Sequence, residues 1–395
     1  MDFSVSEQTQ TLLARTQRFV DEELIPLEPE IQKGWWHIEP LLQAKREQVK
    51  KLGLWAPNLP QDIGGMGLPL IDLGLMFEVM GQTPIGNYVF GAQAPDAGNM
   101  EILHEFGSPE QQDSWLKPLA EGAIRSCFAM TEPQTAGSNP TLLTSRAVRD
   151  GDSWVINGHK WFTSCFDGAA FTIAMVVTDD DAERHQRASM IIVPLDIPGI
   201  EHVRNISIMG HAGEGYFSHA EIKFHDVRVP AENMLGEPGQ GFLIAQKRLG
   251  PGRIHHCMRW LGICKRAQKL LCQQALGREV RNGERLADQQ TIQNWIAENA
   301  AEIEAARCMT LKAAWTGDHY GWKAARTEIG MIKYHCAGIL QRVVDRALQA
   351  HGSLGMTDDT PLAHWYSHER ASRIYDGPDE VHKQKVAQQV LGSLA

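Results

Sequence analysis

Helical periodicity dominates the first 123 residues of the chain. Apolar residues recur there every three or four positions, which predicts amphipathic helices with one apolar face each. The segments with this pattern are 4–25, 40–56, 70–82, 101–106 and 110–119. Ser4 and Glu7 have the spacing of a capping box at the start of the first helix, and Pro26 ends it.

The pattern changes near residue 124, where short runs rich in β-branched and aromatic residues predict strands. The predicted strands cover 126–130, 145–149, 153–156, 161–164, 171–178, 189–194, 200–208 and 219–229. Gly151 predicts a tight turn between two of them, and Asn157-Gly158 predicts a hairpin. Short strands at this spacing are typical of a small barrel or sandwich.

Long helical patterns return after Gly241 and continue to the end of the chain. Their apolar positions lie on one face of each segment, and Gly352 marks the end of the third. The segments are 254–276, 292–306, 329–347 and 379–391. Helices of this kind with short connections indicate an up-and-down four-helix bundle. The sequence thus predicts an α+β protein with a helical domain (1–123), a β-barrel or sandwich domain (124–236) and a helical bundle (237–395).

Composition and charge argue against several classes of function. A net charge of −10 without a basic run argues against nucleic acid as a partner. No apolar run reaches the length of about 18 residues typical of a membrane-spanning helix. Residues 1–4 lack the basic and apolar regions of a signal peptide. The 7 cysteines form no CxxC pair, which argues against a disulfide scaffold or a zinc site and predicts a reducing, cytoplasmic location.

The stretch 371–382 carries the clearest candidate for catalysis. Asp376 stands directly before Gly377 and Pro378, whose turn can fix the direction of the carboxylate. An Asp just before a helix is more commonly an N-cap, here of the helix predicted over 379–391, and both interpretations stay open. No strand–GxGxxG–helix unit is present, so a Rossmann nucleotide site is not indicated.

Two stretches of the predicted β domain suit a bound cofactor. Residues 127–139 run from a strand into a polar loop, where the hydroxyls of Thr131 and Ser138 can contact a heterocycle or phosphate. Residues 156–164 place Trp161 and Phe162 beside hydroxyl groups, and a planar cofactor can stack on such an aromatic ring. An ordinary strand-end turn and ordinary core aromatics are the plainer interpretations of these two stretches.

The combination of motifs resembles the acyl-CoA dehydrogenase family over essentially the whole chain. The motifs that carry the resemblance are the Thr131-Glu132-Pro133 loop, the segment 157–162, the strand 225–230 and the turn 374–377. The resemblance implies an N-terminal helical domain, a middle β domain and a C-terminal four-helix bundle, with FAD between the last two and reaching a neighbouring subunit. It also implies an acyl-CoA substrate, an electron-transfer flavoprotein as electron acceptor, a homodimer or homotetramer, and a role in fatty acid β-oxidation.

The resemblance also implies roles for individual residues. Asp376 matches the carboxylate that removes the α-proton while the β-hydride leaves to flavin N5, which gives the trans-2-enoyl-CoA. Ser138, Arg253 and Gly377 match positions at the substrate. The positions that match FAD contacts are Phe128, Met130, Thr131, Ser138, Phe162, Ser164, Arg278, Gln289, Gln349, Gly352, Ser353 and Glu380.

Several residues depart from the family pattern. The usual base is Glu, and Asp376 reaches roughly 1 Å less because it is one methylene shorter. The other departures are Phe162 for Trp, Ser164 for Thr, Ser353 for Gly, Pro378 for Thr and Glu380 for Gln. The sequence of residues 376–382 resembles that of one branch of the family, whose members have an Asp base. Some members of this branch use 4-hydroxyacyl-CoA or longer-chain substrates.

Two alternative functions stay open at the level of sequence. One is a flavin oxidase on the same fold that acts on a small carbon acid such as a nitroalkane, where an Asp base is also used. The other is a flavoprotein of this fold that binds nucleic acid or a partner and has lost turnover. The net charge of −10 and the presence of Asp376 count against this second alternative.

Overall fold

The structure is a computed structural model that describes residues 5–394, apart from the side chain of Pro251. Its α-helices are α1 (Glu7–Phe19), α2 (Glu28–Ile31), α3 (Trp35–Lys51), α4 (Leu70–Met80), α5 (Gly86–Val89), α6 (Asp96–Phe106), α7 (Pro109–Gln111), α8 (Lys117–Ala120), α9 (Gly241–Gly277), α10 (Gln290–Tyr320), α11 (Arg326–His351), α12 (Leu362–His368) and α13 (Asp379–Gly392). Its strands are β1 (Ser126–Ala129), β2 (Arg146–Asp150), β3 (Ser153–Ser164), β4 (Phe171–Val177), β5 (Ala188–Pro194), β6 (Ile200–Asn205), β7 (Ser207–Ile208), β8 (His211–Ala212), β9 (His219–Pro230), β10 (Met234–Leu235), β11 (Glu279–Arg281) and β12 (Glu284–Arg285).

The predicted order of helices, β-strands and long helices is confirmed. Ser4 lies outside the described residues, and the described cap of α1 is Ser6, whose Oγ accepts from the backbone N–H of Thr9 over 3.1 Å. Gly352 ends α11 with a φ of 61°, as its position in the sequence predicts. Among the described residues, none of the helices is long and apolar enough to cross a membrane.

The described residues group into two compact units. The first contains the chain up to Lys33, Leu68–Phe90 and the part from Gly250 onward, and the second contains Gly34–Gly67 and Gly91–Leu249. The helices predicted within 1–123 are therefore shared between the two units.

The first unit contains the predicted helical bundle. α11 packs against both α10 and α13, and its buried face includes Ile332, Ile339 and Val343. α4 packs against α1 and α10. The backbones of α4 and α9 approach closely at Gly262, where a Cβ would lie 2.1 Å from the carbonyl oxygen of Glu78. A residue larger than glycine therefore cannot occupy position 262 without separating the two helices.

The second unit is built on one large β-sheet. Its strand order is β10-β5-β4-β2-β3-β9-β6, and β1 pairs with β4 in parallel. β4 is buried along its whole length, which explains why its residues are apolar apart from Thr172. Ile156, Ile191, Ile222 and Phe224 belong to the apolar cluster that forms the core of this sheet.

The hairpin predicted at Asn157-Gly158 is wrong, because both residues lie inside the continuous strand β3. A register shift between Ile156 and Gly158 marks a bulge in the pairing of β3 with β9. Asn157 forms two hydrogen bonds with Asp226 on β9. Nδ2 of Asn157 donates to Oδ1 of Asp226 over 2.8 Å, and the backbone N–H of Asp226 donates to Oδ1 of Asn157 over 2.9 Å. A Cβ on Gly158 would lie 2.2 Å from Oγ of Ser145, so glycine serves close packing here and not a turn.

Candidate active site

Asp376 lies on a strained turn directly before α13. Its φ is 53°, and the φ of the following Gly377 is 97°. A residue with a side chain seldom adopts a positive φ, and such a conformation costs about 1–3 kcal/mol, so it persists only where the surroundings hold it. The direction of the Asp376 side chain therefore depends on contacts from neighbouring elements.

Basic side chains from three helices hold the carbonyl groups of this turn. Nε of Arg253 in α9 and Nε2 of His382 in α13 each donate to the carbonyl oxygen of Asp376 over 3.1 Å. Nζ of Lys333 in α11 donates to the carbonyl oxygen of Gly377 over 3.2 Å. Gly377 is needed here because a Cβ would lie 2.8 Å from Nε2 of His382. These bonds fix the peptide planes that set the direction of Asp376.

The structure does not support the N-cap interpretation of Asp376. The N-cap of α13 is Pro378, which makes no side-chain cap, and Asp376 lies two positions before it. The acid at the start of α13 is Asp379, which is 3% exposed and accepts from Nε of Arg373 over 2.7 Å. The carboxylate of Asp376 therefore has a different environment from that of a helix cap.

An imidazole lies beside that carboxylate, and it belongs to His256, which the sequence did not indicate as a site residue. Its Nε2 lies 3.4 Å from Oδ2 of Asp376, with side-chain exposures of 20% and 18%. Burial lowers the pKa of His256 to about 4, which outweighs the opposite effect of the Asp376 charge, so the imidazole is neutral near pH 7. A sequence signal was present: His256 follows Arg253 by three positions, and residues at this spacing share one helix face.

The half-buried phenol of Tyr375 packs beside His256. The ring centroids of His256 and Tyr375 are 5.2 Å apart, and the Tyr375 hydroxyl accepts from Nε1 of Trp260 and Nη2 of Arg259, both over 3.1 Å. Arg259 also pairs with Glu369, with 2.8 Å between Nη2 and Oε2. Burial raises the pKa of Tyr375 well above its usual value, so the phenol stays neutral. Its hydrogen bonds to Trp260 and Arg259 fix the ring beside His256.

Two cations give the site a positive field. Burial lowers the pKa values of Arg253 and Lys333, while the negative charge of Asp376 acts in the opposite direction on each. Their positive charges favour the ionised carboxylate and any anion that forms beside it. The site thus combines a carboxylate, a neutral imidazole and two nearby cations.

In the second unit, the structure brings together the candidate loop after β1 and the C-terminal half of β3. Oγ1 of Thr131 donates to the carbonyl oxygen of Trp161 over 2.7 Å, and the N–H of Trp161 donates to the carbonyl oxygen of Thr131 over 3.1 Å. The buried Lys160 donates from Nζ to the carbonyl oxygen of Met130 over 3.0 Å. Phe128 and Met130 are half-buried at the end of β1, where Cζ of Arg248 lies 4.2 Å from the Phe128 ring centroid.

The remaining candidates of the β domain present an aromatic ring and hydroxyls. Phe162 has a φ of 49° at a register shift of β3, and its side chain is 41% exposed. Oγ of Ser164 lies 2.7 Å from Nδ1 of His219. Ser138 is exposed in the loop whose Gly137 packs closely on Thr131, since a Cβ there would lie 2.9 Å from Cγ2 of Thr131.

These residues fit a planar heterocycle such as a flavin ring. An aromatic side chain that is partly exposed at a strand bulge offers a stacking face, as Phe162 does. The Thr131 hydroxyl uses its proton on Trp161, which leaves its oxygen lone pairs as acceptors for a ring N–H. The donor set therefore agrees with the cofactor that the sequence resemblance implies.

The other positions assigned to FAD by resemblance lie at the surface of the first unit. Gln289 is half-buried, and the rest are exposed in one copy of the chain. The exposed residues are Arg278, Gln349, Gly352, Ser353 and Glu380. Arg278 follows α9 directly and precedes the hairpin of β11 and β12. These positions are accessible from outside this copy of the chain.

Comparison with protein families gives three matches that together span most of the chain. The N-terminal, middle and C-terminal domains of acyl-CoA dehydrogenase match residues 6–123, 127–227 and 239–391. The probable acyl-CoA dehydrogenase FadE2 of Mycobacterium tuberculosis is 45% identical, over 89% of this chain and 86% of its own length. Acyl-CoA dehydrogenase family member 10 of Mus musculus is 43% identical over 95% of this chain but only 36% of its own length.

The chain spans about half or less of the vertebrate relatives that it matches, between 36% and 52% of their lengths. Among solved structures, a putative acyl-CoA dehydrogenase from Mycobacterium abscessus superposes with a TM-score of 0.96 at 38% identity, with 100% of both chains covered. The likeness therefore covers the whole fold described above and not one domain of it.

Proposed function

Because this chain belongs to the acyl-CoA dehydrogenase family, we propose that it oxidises an acyl-CoA thioester to the trans-2-enoyl-CoA with FAD as cofactor. The observation that supports this most directly is Asp376, a carboxylate on a strained turn whose carbonyl is held by Arg253 and His382. Around Asp376 are a neutral imidazole and two cations. Such an arrangement suits removal of a proton from a carbon acid.

In this proposal Asp376 is the general base for the α-proton of the substrate. That proton becomes removable when the thioester carbonyl receives hydrogen bonds as its charge develops, and the backbone N–H of Asp376 is assigned as one donor. Arg253 and Gly377 hold the turn in the conformation that presents both the carboxylate and this N–H. The positive charges of Arg253 and Lys333 favour the anion that forms.

FAD, when bound, supplies the two-electron acceptor for the β-hydrogen. The protein positions it, and we assign the flavin ring to the surface around Thr131 and Phe162 and the remaining contacts to a neighbouring copy. The residues assigned to FAD in this way are Phe128, Met130, Thr131, Ser138, Phe162, Ser164, Arg278, Gln289, Gln349, Gly352, Ser353 and Glu380. Ser138 is also assigned to the thioester arm of the substrate.

Several further parts of the proposal follow from family membership. We infer a homodimer or homotetramer, an electron-transfer flavoprotein as electron acceptor and a role in fatty acid β-oxidation. The division into domains 1–123, 124–236 and 237–395 and the reducing, cytoplasmic location stay predictions from the sequence.

The test is anaerobic titration of the purified holoprotein with a panel of acyl-CoAs that differ in chain length and branching. At least one acyl-CoA is expected to bleach the flavin absorbance, and free CoA at the same concentration is the control. Failure of every acyl-CoA to bleach the flavin contradicts the proposal. Rapid oxygen consumption with a nitroalkane in place of an acyl-CoA would support the oxidase alternative instead.

A further inference from the structure

We propose that His256 is a positioning residue for the base: it donates a hydrogen bond from Nε2 to the Asp376 carboxylate and holds that carboxylate toward the substrate. This inference rests on the proposed function, in which Asp376 removes the α-proton. The supporting geometry is the 3.4 Å between Nε2 of His256 and Oδ2 of Asp376. Catalytic hydrogen bonds are often long without substrate and shorten in the complex.

Packing restricts the His256 ring on several sides. Its ring centroid lies 5.2 Å from that of Tyr375 and 6.0 Å from that of Trp260, whose plane is inclined by only 22°. Trp260 is fully buried and donates to the Tyr375 hydroxyl, so both neighbours are themselves fixed. A donor whose rotamer is locked by packing can orient its acceptor.

The charge state of His256 decides what it can donate. Burial keeps the ring neutral near pH 7, so it carries one N–H, and a carboxylate acceptor at Nε2 requires that hydrogen on Nε2. A neutral donor orients the carboxylate without the full charge of an ion pair, which would weaken it more as a base. The charged and titratable groups that interact with the pair are Arg253, His255, Cys257 and Arg259 of α9, Lys333 of α11, Glu369, Tyr375, and His382 of α13.

The need for such a donor follows from the base itself. The bonds from Arg253 and His382 to the carbonyl oxygen of Asp376 fix the backbone of the turn, and the direction of the carboxylate depends in addition on contacts of the side chain itself. A base displaced by about 1 Å can lose about 100-fold in rate. His256, with Nε2 3.4 Å from Oδ2, is placed to supply such a side-chain contact.

The experiment uses two substitutions of His256 and one of its neighbour in the holoprotein. His256→Leu removes the donor, whereas His256→Gln places an amide nitrogen near the position of Nε2. His255→Leu is the matched control, because His255 precedes His256 in the same helix, is 6% exposed and stacks on Phe77 with 4.7 Å between ring centroids. FAD content and thermal unfolding establish that each variant is folded.

The first readout is the titration of the Asp376 carboxyl carbon by ¹³C NMR, assigned by its loss in Asp376→Asn. Loss of a hydrogen bond to the charged form raises the midpoint, so His256→Leu is expected to titrate about one pH unit higher than wild type. His256→Gln and His255→Leu are expected to stay close to wild type. This readout needs no turnover, so it decides the role of His256 even if no acyl-CoA reduces the flavin and the proposed function fails.

The second readout is single-turnover flavin reduction at saturating acyl-CoA as a function of pH. His256→Leu is expected to be slower by about 10- to 100-fold, with its acid limb displaced upward, while substrate binding changes little. His256→Gln should recover most of the rate. Two outcomes would overturn the inference. One is a His256→Leu variant whose midpoint is unmoved and whose rate is within a few-fold of wild type, and the other is a His255→Leu variant with the same shift as His256→Leu.

If His256→Leu does not fold, His256→Gln is compared with His256→Asn, whose shorter amide cannot reach the Nε2 position. Equal values for these two variants in both readouts overturn the inference.

Discussion

Nζ of Lys160 donates to Oε1 of Glu132 over 2.9 Å, and both side chains are completely buried. Glu132 also accepts from the backbone N–H groups of Thr144 (2.7 Å) and Ser145 (2.9 Å), and Lys160 also donates to the carbonyl oxygens of Met130 and Met175. These bonds lower the pKa of the Glu132 carboxyl to about 2 although burial opposes this. The pair therefore joins the loop of Thr131, Glu132 and Pro133 to β3 and β4. It thereby supports the surface around Thr131 and Phe162 that is assigned to the flavin.

Lys160→Met is expected to lower the free energy of unfolding by about 3–5 kcal/mol, because it leaves the buried Glu132 carboxylate without its cation. FAD affinity should fall as well, since the carbonyl of Met130 loses its donor. Chemical denaturation and flavin fluorescence measure the two effects.

Lys247→Met is the control for this prediction. The ion pair of Lys247 with Glu105, at 2.6 Å, is about half exposed, and its loss should lower the free energy of unfolding by at most about 1 kcal/mol. Equal losses in the two variants would contradict the structural role assigned to Lys160.

Asp376→Asn is expected to reduce its flavin at least about 100-fold more slowly than wild type, because an amide cannot accept the α-proton. Its stability should change little, since Asp376 does not cap α13. The variant should still bind FAD and still perturb the flavin spectrum with acyl-CoA. Stopped-flow absorbance under anaerobic conditions gives the rate, and a value within a few-fold of wild type would prove the base assignment wrong.

Arg278→Ala is expected to weaken FAD binding by about 10- to 100-fold, the usual effect of losing charge-assisted hydrogen bonds to a phosphate. Arg281→Ala is the control. Arg281 is also exposed, and it is the last residue of β11, the strand that begins directly after Arg278. Equilibrium dialysis gives the affinities. An equal loss in both variants would point to a general charge effect and not to a pyrophosphate contact.

The same FAD assignment requires an assembly no smaller than a dimer. Arg278, Gln349 and Gly352 are exposed in one copy, and in the proposal they contact the cofactor of another copy. Sedimentation of the holoprotein at micromolar concentration should therefore give at least twice the chain mass of 44.0 kDa. A holoprotein that sediments as a single chain contradicts the assignment.

His255→Leu is expected to make the protein less sensitive to acid. Burial lowers the pKa of His255 from 6.5 to about 3, so between these values the unfolded chain binds a proton that the folded chain does not. Stability due to this group is therefore lost as the pH falls below about 6.5, and by pH 5 the loss is about 2 kcal/mol. The variant should lose that much less between pH 7 and pH 5 in denaturant titrations. An equal loss between pH 7 and pH 5 in the variant and in wild type would contradict this role of His255.

Much of the local structure was determined by the sequence alone, because periodicity and helix-terminating residues act within a few positions. The apolar stripe of α11 and the stop at Gly352 follow from residues close together in the chain. So do the β2–β3 turn at Gly151 and the mostly apolar strand β4. The motif around Asp376 was likewise visible in the sequence, although not whether it serves as a cap or as a base.

Contacts between distant residues were decided only by the tertiary structure. Asn157-Gly158 has the composition of a hairpin turn, but β9 pairs along β3, Asp226 binds Asn157, and the packing of Ser145 requires glycine at position 158. Local propensity yields there to pairing across the sheet. Similarly, His256 and Asp376 are 120 positions apart in the sequence, and only the packing of α9 beside the turn before α13 places the imidazole 3.4 Å from the carboxylate. A pattern within one helix shows which face a histidine occupies, but the identity of the group opposite that face depends on how the helices pack.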